Sequence, residues 1–122
     1  MSMPKAVIVE DDFKLSELYK TVLEQCQYET TIIGSGREAQ KKFQTSVPKL
    51  IILDVHLPYI SGLDLLKELQ EDERFNNTLI IIVTADVYTA NSLEGKVKNV
   101  ILKTYGINKL SRLATDHLKA EG

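Results

Sequence analysis

Four short apolar runs each end in a residue that can do chemistry. Val7-Ile8-Val9 is followed by Glu10-Asp11-Asp12, Leu50-Ile51-Ile52-Leu53 by Asp54, Leu79-Ile80-Ile81-Ile82-Val83 by Thr84, and Val100-Ile101-Leu102 by Lys103. Near-continuous apolar runs of this length mark strands buried on both faces of a parallel sheet, and ligands of such sheets sit beyond the carboxyl ends of the strands. The pattern therefore expects three acids, a hydroxyl and an amine to meet in one crevice. Crowded carboxylates repel one another unless protons or a cation intervene, so the set calls for a hard divalent ion, with Lys103 and Thr84 left to hold an anion. That combination points to phosphoryl chemistry.

The elements that must position these residues alternate along the chain. A strand is expected from Lys5 to Val9, then a helix capped by Asp12 whose buried face carries Leu15, Leu18, Tyr19, Val22, Leu23 and Cys26. Tyr28 to Ile33 reads as an outer strand. Gly34-Ser35-Gly36 opens a short helix with Ala39 and Phe43 inward, stopped by Pro48. After the strand ending at Asp54, the loop Val55 to Gly62 leads into a helix through Leu63, Leu66 and Leu69, and Asn76-Asn77 breaks the chain before the next strand. Gly62 reads as a turn position needing freedom at φ. The stretch from Ala85 to Asn99 has few apolar positions, so its helix, the fourth, should be short or irregular. The last helix has a clear stripe in Ile107, Leu110, Leu113, Ala114 and Leu118. Regular alternation implies right-handed crossovers and an α/β fold, a flavodoxin-like open parallel sheet of five strands in the order 2-1-3-4-5 with helices on both faces.

Composition narrows the classes. The 122 residues are expected to form one domain over 1–122, and the ends, Met1-Ser2 before a second methionine and Glu121-Gly122 after the last turn, leave open a domain cut from a longer protein. A net charge of -2, with both signs mixed along the chain, gives no electrostatic footprint for nucleic acid or an anionic membrane. The apolar runs are strand-sized and no signal-peptide pattern opens the chain, so a soluble, cytoplasmic protein is expected. The single cysteine, Cys26, reads as a small buried hydrophobe rather than a reactive thiol.

Singly, each candidate has an ordinary explanation. Acids favour helix starts, Thr84 suits a strand, and Lys103 suits an exposed strand end. Together and in order they are distinctive. Val9-Glu10-Asp11-Asp12, Leu53-Asp54-Val55-His56-Leu57-Pro58 with Gly62, Thr84-Ala85 and Lys103 resemble the receiver domain of two-component response regulators over essentially the whole chain. The resemblance implies that Asp54 is the phosphoacceptor, supplied by a sensor histidine kinase or a histidine phosphotransfer protein. It implies Mg²⁺ held by Asp11 and Asp54 directly, by Glu10 through water and by the backbone carbonyl of His56. Lys103 and Thr84 would contact the phosphoryl oxygens, and Ala85 would leave them reachable. Phosphorylation would then draw in the loop after the fourth strand and switch a downstream output domain or protein. His56 and Asp86 would flank the path of the hydrolytic water and tune the lifetime of the aspartyl phosphate. Such domains also form homodimers.

Three departures stand beside the resemblance. Family members usually carry Pro after the lysine, with a cis bond, where this chain has Thr104; a non-proline cis bond costs about 2.5–4 kcal/mol. They usually carry Tyr or Phe where this chain has Val100, so aromatic coupling cannot operate, and the interval from Thr84 to Lys103 is shorter by about one helical turn. A receiver-like interaction module without a phosphorylation response is the principal alternative. A haloacid-dehalogenase-type phosphatase would need an acid where His56 stands, and a flavodoxin-like electron carrier a hydroxyl- and glycine-rich loop where Glu10-Asp11-Asp12 stand.

Overall fold

The computed structural model describes residues 3–103 and 106–121. Its elements run β1 (Lys5–Val9), α1 (Phe13–Gln25), β2 (Glu29–Ile33), α2 (Gly36–Thr45), β3 (Leu50–Asp54), α3 (Gly62–Gln70), a 3₁₀ turn (Glu73–Phe75), β4 (Leu79–Thr84), α4 (Val87–Leu93), β5 (Val100–Leu102) and α5 (Ile107–Glu121). All strand pairs are parallel and the order is β2-β1-β3-β4-β5, the flavodoxin-like arrangement expected from the alternation.

Successive strand residues point to opposite faces, and the apolar runs feed two cores. Val7, Val9, Ile51, Leu53 and Ile82 pack with Ala39, Phe43, Leu65, Leu66 and Leu69 of α2 and α3. Ala6, Ile8, Ile52, Ile81 and Ile101 pack with Tyr19, Leu23, Leu110 and Ala114 of α1 and α5. Every residue of β3 is buried. The strand that carries Asp54 is therefore fixed from both sides.

Short polar side chains start the helices. Asp12, Ser35, Ser61 and Asp86 accept the N–H of Leu15, Glu38, Asp64 and Tyr88 respectively, which satisfies donors that have no partner within the helix. At the end of α1, Gln27 adopts φ 73, the Gln27 N–H reaches the Glu24 carbonyl and the Tyr28 N–H reaches that of Leu23, the reciprocal pattern of a Schellman end. The Tyr28 hydroxyl then donates to the Ala114 carbonyl at 2.9 Å and ties this end to α5. Arg74 closes α2 by donating to the Phe43 and Gln44 carbonyls at 2.9 and 3.1 Å.

Three expectations need correction, and one buried residue had gone unassigned. Leu18 lies 44% exposed instead of on the buried face of α1; the helix packs along a stripe narrower than the sequence suggests. Cys26 is only partly buried and caps that helix, with the Thr115 hydroxyl donating to its sulfur at 3.6 Å. Leu65, unassigned by the periodicity, is buried to 1% in α3. Gly62 has no positive φ; a Cβ there would collide with the Asp54 carbonyl oxygen, so close approach rather than turn freedom demands glycine. The fourth helix is short as expected, with seven residues.

Candidate functional site

Register brings the chemistry together. Val9 stands opposite Leu53, and Asp54 opposite Val83, so Glu10 and Thr84 each follow directly beside the acid of the central strand. Thr84 pairs with Leu102, and the Lys103 N–H donates to the Thr84 carbonyl at 2.8 Å. The strand ends thus deliver every residue that the sequence singled out there.

Glu10 and Asp54 are almost wholly buried, while Asp11 is exposed at the mouth. Oxygens from the three carboxylates lie within 4.8 Å of one another, close enough to share one cation. Lys103 occupies the space between two of them. Its Nζ lies 2.9 Å from Glu10 Oε1 and 3.0 Å from Asp54 Oδ2. The remaining oxygens are held by backbone: the His56 N–H donates to Asp54 Oδ1 at 3.1 Å and the Asp12 N–H to Glu10 Oε2 at 3.2 Å. Burial pushes the Glu10 carboxyl up to about 7, against the pull of the Lys103 ammonium. Burial opposes charge on Lys103 as well, but its two carboxylate partners outweigh this and hold it above the ordinary lysine range. One amine cannot fully neutralise three acids, and a hard divalent cation suits the all-oxygen donor set that remains.

Thr84 is fully buried, and its hydroxyl accepts the Asp86 N–H at 3.1 Å. Ala85 is exposed beside it. Asp86 caps α4: its Oδ2 accepts from the Thr89 hydroxyl at 2.8 Å and its Oδ1 from the Tyr88 N–H at 3.0 Å. Those two bonds, the Thr89 contact first, hold its carboxyl below the usual range, and the His56 charge adds a smaller pull. His56 is exposed, so both flanking residues stand at the mouth. Val100 is partly buried against the core, so that position carries no ring. The Lys103–Thr104 bond lies outside the described residues, and no cis peptide occurs among those described.

The sequence matches the response regulator receiver domain family over residues 6–115. The chain belongs to that family. The polar-differentiation response regulator DivK of Brucella anthropi is 36% identical over 84 residues, 68% of either chain. The signal receiver domain of a signal transduction histidine kinase from Syntrophus aciditrophicus is similar in structure, with TM-score 0.82 at 28% identity over 96% of this chain and 91% of that one. The chemotaxis response regulator CheY4 of Vibrio cholerae shares the fold, with TM-score 0.81 at 24% identity over 95% and 99% of the two chains. This receiver domain is thus a signalling element of a two-component system rather than an enzyme of the ordinary kind. No helix among its described residues is long and apolar enough to cross a membrane.

Sequence reasoning missed two features of the receiver. The Tyr19 hydroxyl is buried without a hydrogen-bond partner among the described residues, and Glu10, Asp54 and Asp12 add to burial in raising its pKa. A tyrosine among leucines on an amphipathic stripe gives no sequence signal of that. The second is the set of contacts that hold the loop after Asp54.

Proposed function

We propose that this receiver accepts a phosphoryl group on Asp54 in a Mg²⁺-dependent step and acts as a conformational switch. The observation that carries this is the Lys103 ammonium set between Glu10 and Asp54, 2.9 and 3.0 Å from their oxygens, with Asp11 completing an oxygen cluster beside them. Asp11 and Asp54 would hold the ion directly, Glu10 through water and His56 through its carbonyl. When bound, Mg²⁺ neutralises charge spread over the transferring phosphoryl oxygens.

The protein's own residues do the rest. A carboxylate oxygen of Asp54 attacks phosphorus as the donor's P–N bond breaks, and the histidine of a kinase or phosphotransfer protein leaves with the electron pair. Lys103, already charged, moves from paired carboxylates to the phosphoryl oxygens, an exchange of one anion for another that needs no new proton. The buried Thr84 hydroxyl turns its hydrogen to the same group, drawing on the loop through Asp86 and α4. Ala85, with only a methyl side chain, leaves the group reachable. Phosphorylation thereby shifts a pre-existing equilibrium of the β4–α4 segment, which a downstream domain or protein, or a second copy of this chain, reads. His56 and Asp86, both at the mouth, tune how long the group lasts, Asp86 by repelling or orienting water there. The cytoplasm is the compartment for such an exchange.

The test is incubation with Mg²⁺ and a small acyl-phosphate donor, followed by intact mass. One added phosphoryl group is expected for the wild type. Mg²⁺ binding without an adduct would support the interaction-module reading instead. For the flanking pair, equal dephosphorylation rates in wild type, His56→Ala and Asp86→Ala would remove their tuning role.

A further inference from the structure

The loop between β3 and α3 is tied to the site at both ends. The His56 N–H donates to Asp54 Oδ1 at 3.1 Å, the Gly62 N–H donates to the Val55 carbonyl at 3.0 Å, and any Cβ at Gly62 would strike the Asp54 carbonyl. Its middle is strained. Tyr59 has φ 70, and the Ile60 N–H donates across it to the Pro58 carbonyl at 2.8 Å. A bond from residue i to i+2 over a positive φ is the rare, strained form of the γ-turn, and a bulky residue there is a true outlier. Such conformations persist only where neighbours hold them.

The neighbours here are the first two residues of α2. A Cβ on Gly36 would lie 2.9 Å from both the Cβ and the carbonyl oxygen of Ile60, so glycine lets the helix close on the loop. Arg37 then sets its guanidinium carbon 5.5 Å from the centre of the Tyr59 ring, within cation–π range. Tyr59 is 86% exposed. Its ring fills no core, and burial does not explain why the turn keeps a tyrosine where glycine would relieve the strain.

We propose that Arg37 and Tyr59 are positioning residues for the cation site, clasping the strained turn against α2 and so fixing the His56 carbonyl relative to Asp54. The inference rests on the proposed function in one respect, the use of that carbonyl as a ligand. Without the clasp the turn relaxes, the carbonyl is in place for only part of the time, and the apparent affinity for the ion falls by that fraction.

The experiment is calorimetric titration of Mg²⁺ into the full chain as wild type, Arg37→Ala, Tyr59→Leu and Tyr59→Phe, with amide hydrogen exchange on each metal-free protein. Arg37→Ala and Tyr59→Leu are expected to weaken Mg²⁺ about three- to tenfold, while Tyr59→Phe, which keeps the ring, stays within about twofold. The Ile60 and Gly62 amides should exchange faster in the first two variants alone, with the thermal transition unmoved because both side chains are exposed. Wild-type affinity in every variant, whatever the exchange rates, would overturn the clasp and leave Asp54 as phosphoacceptor standing. A wild type that binds no Mg²⁺ would overturn both.

Discussion

The two halves of the crevice are built to different standards. The half that holds Asp54, the proposed acceptor, rests on β1 and β3: four of five residues in β1 and all five in β3 are buried, and the carboxylates of Glu10 and Asp54 are held by the Lys103 amine and by backbone N–H groups. The half proposed to switch lies beyond the buried end of β4, on α4, seven residues with Leu93 alone buried, and against β5, three residues with one buried. Gly95 with φ 85 and an isolated bridge between Glu94 and Val97 complete that segment. Transfer chemistry needs atoms fixed to fractions of an ångström, whereas a signal needs a segment that rearranges at little cost. On the proposed function, density of burial separates the two tasks at the end of this sheet.

The largest effect that would sharpen or break this comparison is on stability. Ile52→Ala, in the middle of β3, is expected to cost about 2–5 kcal/mol, and Leu93→Ala, under a short helix, about half as much. Denaturant unfolding of both variants checks it; equal losses would erase the distinction between the halves. Next comes Lys103→Ala, which leaves Glu10 and Asp54 buried without their counter-charge. The metal-free protein should lose about 1–3 kcal/mol at pH 8, with Mg²⁺ restoring most of it, as thermal melts with and without the ion would reveal.

A smaller effect follows from pH. The Glu10 carboxyl is raised from an ordinary 4.5 to about 7, so its contribution is fully present below the lower value and is lost as pH rises through the upper one. Metal-free wild type should weaken by on the order of 1 kcal/mol between pH 5 and 8, and Glu10→Gln should show a flatter profile. Smallest is Thr84→Ala, which removes the acceptor for the Asp86 N–H and should cost about 1 kcal/mol. Phosphorylation of Asp54 should still occur in that variant, while amide shifts of α4 on phosphorylation should shrink. Undiminished shifts would mean that the switch half is driven by another route.

The buried strands β3 and β4 were the more legible in sequence for the same reason. Ile51-Ile52-Leu53 and Ile80-Ile81-Ile82 are apolar without interruption because both faces of their strands are covered, and that pattern placed Asp54 and Thr84 at once. Leu18 misled and Leu65 went unassigned because helix periodicity fixes a stripe but not its width. Gly62 looked like a turn glycine, since a sequence cannot show that the Asp54 carbonyl lies where a Cβ would be. The contact between Arg37 and Tyr59 joins residues far apart in the chain, and the γ-turn under it defies the preference of tyrosine, so neither leaves a local trace.

The central claim is most directly tested by intact mass after incubation with Mg²⁺ and an acyl phosphate, for wild type, Asp54→Ala and wild type with a chelator. The account predicts one added phosphoryl group in the first sample and none in the other two. An adduct that survives Asp54→Ala, or one that forms equally well with the chelator present, would contradict it.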